Sequence, residues 1–116
     1  MIRRSGAMET EIRQRMREGR GSVEILQILR KEEVPGGRVR LFSRLRLQPG
    51  SSIGAHVHEK ESEIFYVLSG EGTVTENGTA TVIAAGDAAV TGGGGTHSLE
   101  NTGTAALEVL AVIVLD

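Results

Sequence analysis

The chain contains no cysteine. This one absence excludes disulfide scaffolds, thiolate zinc sites and cysteine nucleophiles together, and it fits a reducing compartment, so a cytoplasmic protein is expected. Long apolar runs are missing as well. Nothing approaches the roughly 20 residues that a membrane-spanning helix needs. The longest apolar stretch, Ala105 to Leu115, is broken by Glu108 and reads as a buried strand. The first residues lack the apolar core of a secretory signal, so a soluble chain with no membrane role is expected. Nor does one sign of charge dominate, since the formal net charge is −2. Without a basic field, no nucleic-acid partner is expected. Arg3, Arg4, Arg13, Arg15, Arg17 and Arg20 gather near the start, but Glu9, Glu11 and Glu18 are interleaved with them. That is the pattern of a solvated mixed-charge face.

A length of 116 residues supports one domain with a single modest core. There is no clear linker and no low-complexity tail. Met8, Ile12 and Met16 recur every four residues and Gly19 follows, which predicts a short N-terminal helix within an arm spanning residues 1–21. From Ser22 to the end, residues 22–116, the signals are those of strands and glycine-rich turns. Strands are predicted at Val23–Arg30, Val39–Leu47, Ala55–His58, Glu63–Leu68 and Gly72–Thr75, then at Ala80–Ile83, Ala88–Thr91, His97–Asn101 and Ala106–Leu115. Pro35-Gly36-Gly37 and Gln48-Pro49-Gly50 mark turns, and Asn77-Gly78 is a strong hairpin signal. Many short strands separated by turns imply an all-β sandwich or barrel. Gly92 to Gly95 reads either as a flexible surface loop or as a tight turn that delivers His97 to a site.

All three histidines, His56, His58 and His97, fall into one pattern with Glu63. Residues two apart on a strand share a face, so His56 and His58 can reach one ion together. Imidazole nitrogen and carboxylate oxygen form a mixed donor set suited to a divalent transition metal. By the same alternation Phe65 and Val67 share the face of Glu63, while Tyr66 points away and serves packing. Spacing alone leaves ordinary surface or core histidines as the competing reading.

The flanking glycines extend the pattern. Gly50 to Gly70 reads G-x5-H-x-H-x4-E-x6-G, and Gly86 to Asn101 reads G-x5-P-x-G-x2-H-x3-N with Gly92 in place of the proline. These two segments resemble the paired motifs of the cupin superfamily. The resemblance implies an all-β double-stranded β-helix, the jelly-roll barrel, with the site inside it. It also implies His56, His58, Glu63 and His97 as metal ligands, with manganese or iron most often held and nickel, zinc, cobalt or copper as alternatives. Gly50, Gly70, Gly86 and Gly94 are read as turn glycines, and Asn101 as a turn or hydrogen-bonding residue.

Similar small cupins include dioxygenases, isomerases and oxalate-processing proteins. The expectation is therefore a small metalloenzyme acting on a polar carboxylate or sugar-like molecule chelated to the ion. A non-catalytic small-molecule binding module is the alternative, and no catalytic residue beyond the ligands is assigned. Bacterial oxalate decarboxylases resembling the first motif carry an arginine three residues before the first histidine, where this chain has Ile53. Arg44 and Arg46 are placed toward solvent or a partner subunit, and Glu59 and Glu61 in a solvated loop. The apolar final strand, together with the habit of similar small cupins, predicts a homodimer.

Overall fold

The computed structural model describes residues 1–116. Its ten strands are β1 (Glu9–Gln14), β2 (Ser22–Leu29), β3 (Val39–Leu47), β4 (Ser52–Val57) and β5 (Glu61–Ser69), then β6 (Glu71–Glu76), β7 (Thr79–Ala84), β8 (Ala88–Gly92), β9 (Thr96–Glu100) and β10 (Leu107–Leu115). A six-stranded sheet runs in the order β1-β2-β3-β10-β5-β8 and a four-stranded sheet in the order β4-β9-β6-β7. Every pairing is antiparallel. The result is the jelly roll that the motif resemblance implied, within the sandwich-or-barrel class expected from the strand pattern.

Alternation decides which residues fill the space between the sheets. On β3, Ser43, Leu45 and Leu47 are buried while Arg40 and Arg46 are exposed. β10 lies between β3 and β5, and Leu107, Val109, Ala111 and Ile113 are its buried set. Leu107, Val109 and Ala111 join Leu45, Leu47, Val23, Ile25, Ile53, Phe65, Val67, Val74, Ile83 and Leu99 in one continuous core. Burial of apolar surface at roughly 25 cal/mol per Å2 is what holds the two sheets face to face. Arg46 points outward and meets Glu108 across the strands, as its place on the polar face implies.

The N-terminal arm departs from expectation. No helix spans Met8 to Gly19. Instead β1 pairs with β2 over six residue pairs, flanked by two three-residue 3-10 turns at Ser5–Ala7 and Met16–Glu18. A spacing of four is even, so it fits one face of a strand as well as one stripe of a helix. Pairing with β2 decided between them. β1 is exposed along its whole length and rich in charge, as suits the edge of a sheet.

Two of the four register shifts in the sheets bear on the site. Along β4 and β9, Ile53 faces Leu99 and His56 faces His97, so three steps on β4 match two on β9. This β-bulge at Gly54-Ala55 rephases the strand, letting Ile53 and His56 both turn inward although they lie three apart. Along β10 and β3, Ile113 faces Leu41 and Val114 faces Val39, which leaves Arg40 as the extra residue of a second bulge. Arg40 and His56, one from each bulged strand, line one cavity.

Candidate metal centre and its cavity

His56 lies near the end of β4, with His58 just beyond it, while Glu63 is on β5 and His97 on β9. Long-range pairing closes the set, because His56 and His97 are direct partners across β4 and β9. The Gly92–Gly95 segment is the tight turn of the two readings. Gly93 and Gly94 adopt positive φ of 62° and 87°, which glycine tolerates without cost. Its backbone grips His58 from both sides: Gly94 N–H donates to His58 O at 2.9 Å, and His58 N–H donates to Gly95 O at 3.0 Å. At Gly92, where the motif has proline, a Cβ would stand 2.2 Å from Ser62 Oγ and 2.9 Å from Glu61 O. The close approach of β5 explains why no larger residue sits there.

The four donor atoms converge. His97 Nε2 lies 2.9 Å from Glu63 Oε1, 2.9 Å from His58 Nε2 and 3.2 Å from His56 Nε2. His58 Nε2 is 3.0 Å and His56 Nε2 is 3.8 Å from Glu63 Oε1. Adjacent ligands at about 2.1 Å from an octahedral ion stand about 3.0 Å apart, so most of these edges match. The tautomers point the same way. His56 Nδ1 donates to Gly54 O at 2.8 Å, and His58 Nδ1 donates to Glu61 Oε2 at 2.5 Å. Each ring therefore turns an Nε2 lone pair toward the Glu63 oxygen. Lone pairs packed this closely repel unless a proton or a metal cation lies between them. The group His56, His58, Glu63 and His97 is thus positioned to bind a metal.

Burial sharpens the effect. Glu63, His58 and His97 are almost fully buried. Burial by itself would raise the Glu63 carboxyl; contact with the imidazoles of His56 and His97, and the charge His97 and His58 carry when protonated, outweigh it and hold the group at about 2. Phe65 forms the apolar wall expected from its shared face with Glu63, stacking on His97 with ring centroids 5.0 Å apart and 3° between planes. Tyr66 points outward, as alternation requires. Asn101 is structural: its Nδ2 donates to Leu47 O and Ala105 O, and its Oδ1 accepts from Gly103 N–H.

A cavity of about 90 Å3 opens directly off this cluster. Leu41, Leu45, Ile53 and Ile113 supply apolar walls, and Arg13, Arg17 and Arg40 supply cations. Arg44 and Arg46 do not reach it. Sequence reasoning missed the arginines that do, because one set comes from the arm and Arg40 from a bulge. It also misplaced Glu61, which belongs to β5 and shares the inward face of Glu63. Arg40 binds Glu61 through two hydrogen bonds of 3.0 and 2.9 Å. That guanidinium, ahead of the opposing effect of burial, holds the Glu61 carboxyl below the usual range, with His58 adding to it. The alternation of Glu61 with Glu63 was the available signal.

A family model described as a cupin domain matches residues 43–113. The chain belongs to the cupin family. This cupin is 48% identical to an oxalate-binding protein of Thermotoga maritima over 115 residues, covering 99% of this chain and 94% of the relative. A crystal structure from Thermotoga maritima described as a predicted oxalate decarboxylase superposes with a TM-score of 0.94 at 47% identity, over 100% of both chains. The polyketide cyclase RemF of Streptomyces resistomycificus shares the fold of this cupin at 16% identity, with a TM-score of 0.78 over 99% of this chain and 80% of its own.

Proposed function

We propose that this cupin holds one divalent transition metal, manganese or iron, on His56, His58, Glu63 and His97, and uses it to bind a small carboxylate of the oxalate class. The carrying observation is the cavity beside the four donors, rimmed by Arg13, Arg17 and Arg40. The cavity is compact and opens beside the donors, which suits a small acid. The arginines favour an anion, and the apolar walls limit access of water around it. The Thermotoga maritima oxalate-binding protein supports the same ligand class.

When bound, the ion supplies Lewis-acid charge, and a redox-active metal adds electron transfer. The chain's own residues supply binding more readily than proton transfer, because the cavity lining has no carboxylate besides Glu63. Carboxylate binding is therefore the primary reading. Turnover is the second, favoured by a four-ligand set that leaves up to two coordination positions for a reactant. The homodimer belongs to this proposal also.

Elemental analysis of the purified protein and of His56→Ala, followed by oxalate titration of the loaded protein with product detection, tests the reading. Near-stoichiometric metal lost in the variant, with saturable oxalate binding, supports it. Chemically altered oxalate moves the conclusion to the enzyme. A wild type that takes up no manganese or iron sinks the metal site.

A further inference from the structure

We propose that Arg17, carried over the cavity by the N-terminal arm, is the specificity-determining residue for the outer carboxylate of the bound acid. This deepens the proposed function and rests on it. The three cavity arginines are not equivalent. Arg40 is committed to Glu61 by two hydrogen bonds, and Arg13 is paired with Glu11 at 2.7 Å. Arg17 has no carboxylate within ion-pair distance and is the uncommitted cation of the lining.

Its position is built into the backbone. Arg15, Arg17 and Glu18 all adopt left-handed φ, of 48°, 54° and 64°. Such conformations are unfavourable for residues with a Cβ and persist only where the surroundings fix them. Here the fixing partner is β4. A Cβ on Gly54 would lie 1.9 Å from Arg17 O, and a Cβ on Gly19 would lie 2.1 Å from Ser52 O. Two glycines thus let the arm seat directly on the strand that carries His56. Hydrogen bonds from Ser52 N–H to Arg20 O at 2.8 Å, and from Arg20 N–H to Ser52 Oγ at 2.9 Å, complete the seat. Met16, beside Arg17, packs onto the core and closes the wall.

The one cation the barrel itself contributes, Arg40, is taken up by Glu61. Ile53, on the cavity wall, is apolar and buried. A small diacid bound at the donor cluster through one carboxylate turns the other toward the cavity mouth. Arg17 is the free group with the charge and planar donor geometry to take them.

The test compares oxalate with acetate on manganese-loaded protein by calorimetry, for wild type, Arg17→Asn and Arg17→Lys. Asparagine tolerates the left-handed backbone, so the arm stays seated while the charge is lost. Arg17→Asn is expected to weaken oxalate by about tenfold or more, the scale of one charge-assisted hydrogen bond, while weakening acetate far less and leaving manganese content unchanged. Arg17→Lys is expected to recover part of the loss. Equal oxalate affinity in wild type and Arg17→Asn overturns the inference and leaves the proposed function standing. Equal losses for oxalate and acetate also overturn it, since one carboxylate would then suffice. A loaded wild type that binds no oxalate overturns the proposed function itself.

Discussion

His58 donates from Nδ1 to Glu61 at 2.5 Å, which ties a candidate metal ligand to a carboxylate that Arg40 holds from its far side. Arg40, Glu61 and His58 form a chain from the barrel rim to the donor cluster. The carboxylate fixes the tautomer and orientation of the ring and raises the basicity of the nitrogen facing the ion. Substituting Glu61→Gln keeps an acceptor oxygen and removes the charge. Metal affinity is expected to fall by about tenfold to a hundredfold with little change in melting temperature of the metal-free protein. Competition with a chelator measures it, and an unchanged affinity would count against the chain.

Gly54 performs two tasks. Its carbonyl accepts from His56 Nδ1 at 2.8 Å, and its missing side chain admits Arg17 O. Gly54→Ala places a methyl against backbone that cannot rotate away. A loss of about 1 to 3 kcal/mol is expected, the range of overpacked sites, with a drop in metal affinity alongside. Thermal unfolding and metal titration of the variant read the two effects separately.

Asn101 offers a control for the opposite outcome. Three hydrogen bonds join it to Leu47, Ala105 and Gly103. Replacement by alanine leaves buried backbone groups without partners and is expected to cost about 3 kcal/mol. Metal stoichiometry of whatever folds should be that of wild type. Loss of metal at full stability would reverse the assignment.

Acid should weaken the metal-free protein through Glu63. Its carboxyl is lowered from 4.5 to about 2 on folding, so the unfolded chain takes up the proton first. The associated stability is fully present above about pH 4.5 and disappears as the pH falls toward about 2. Denaturant midpoints taken across that window should decline in wild type and decline less in Glu63→Gln. Parallel curves would mean that another group controls the acid limb.

The sequence by itself determined an all-β sandwich or barrel, and its resemblance to the cupin motifs supplied the jelly roll and the donor set. Period-two alternation marked β3 from Val39 to Leu47 with its observed bounds, and turn chemistry separated the rest. His56, His58, Glu63 and His97 became legible as a donor set only with the flanking glycines that complete the two motifs. The tertiary structure alone decided the arm, the bulges and the cations. Met8, Ile12 and Met16 fit a helical stripe by spacing, yet only Ile12 falls within β1, and pairing with β2 made that segment a strand. Alternation assumes unbroken register, so it cannot foresee that an extra residue at Gly54-Ala55 turns His56 beside Ile53, or that another frees Arg40 toward Glu61. Arg17 reaches the cavity because two distant glycines let backbone meet backbone, a contact for which local sequence carries no period.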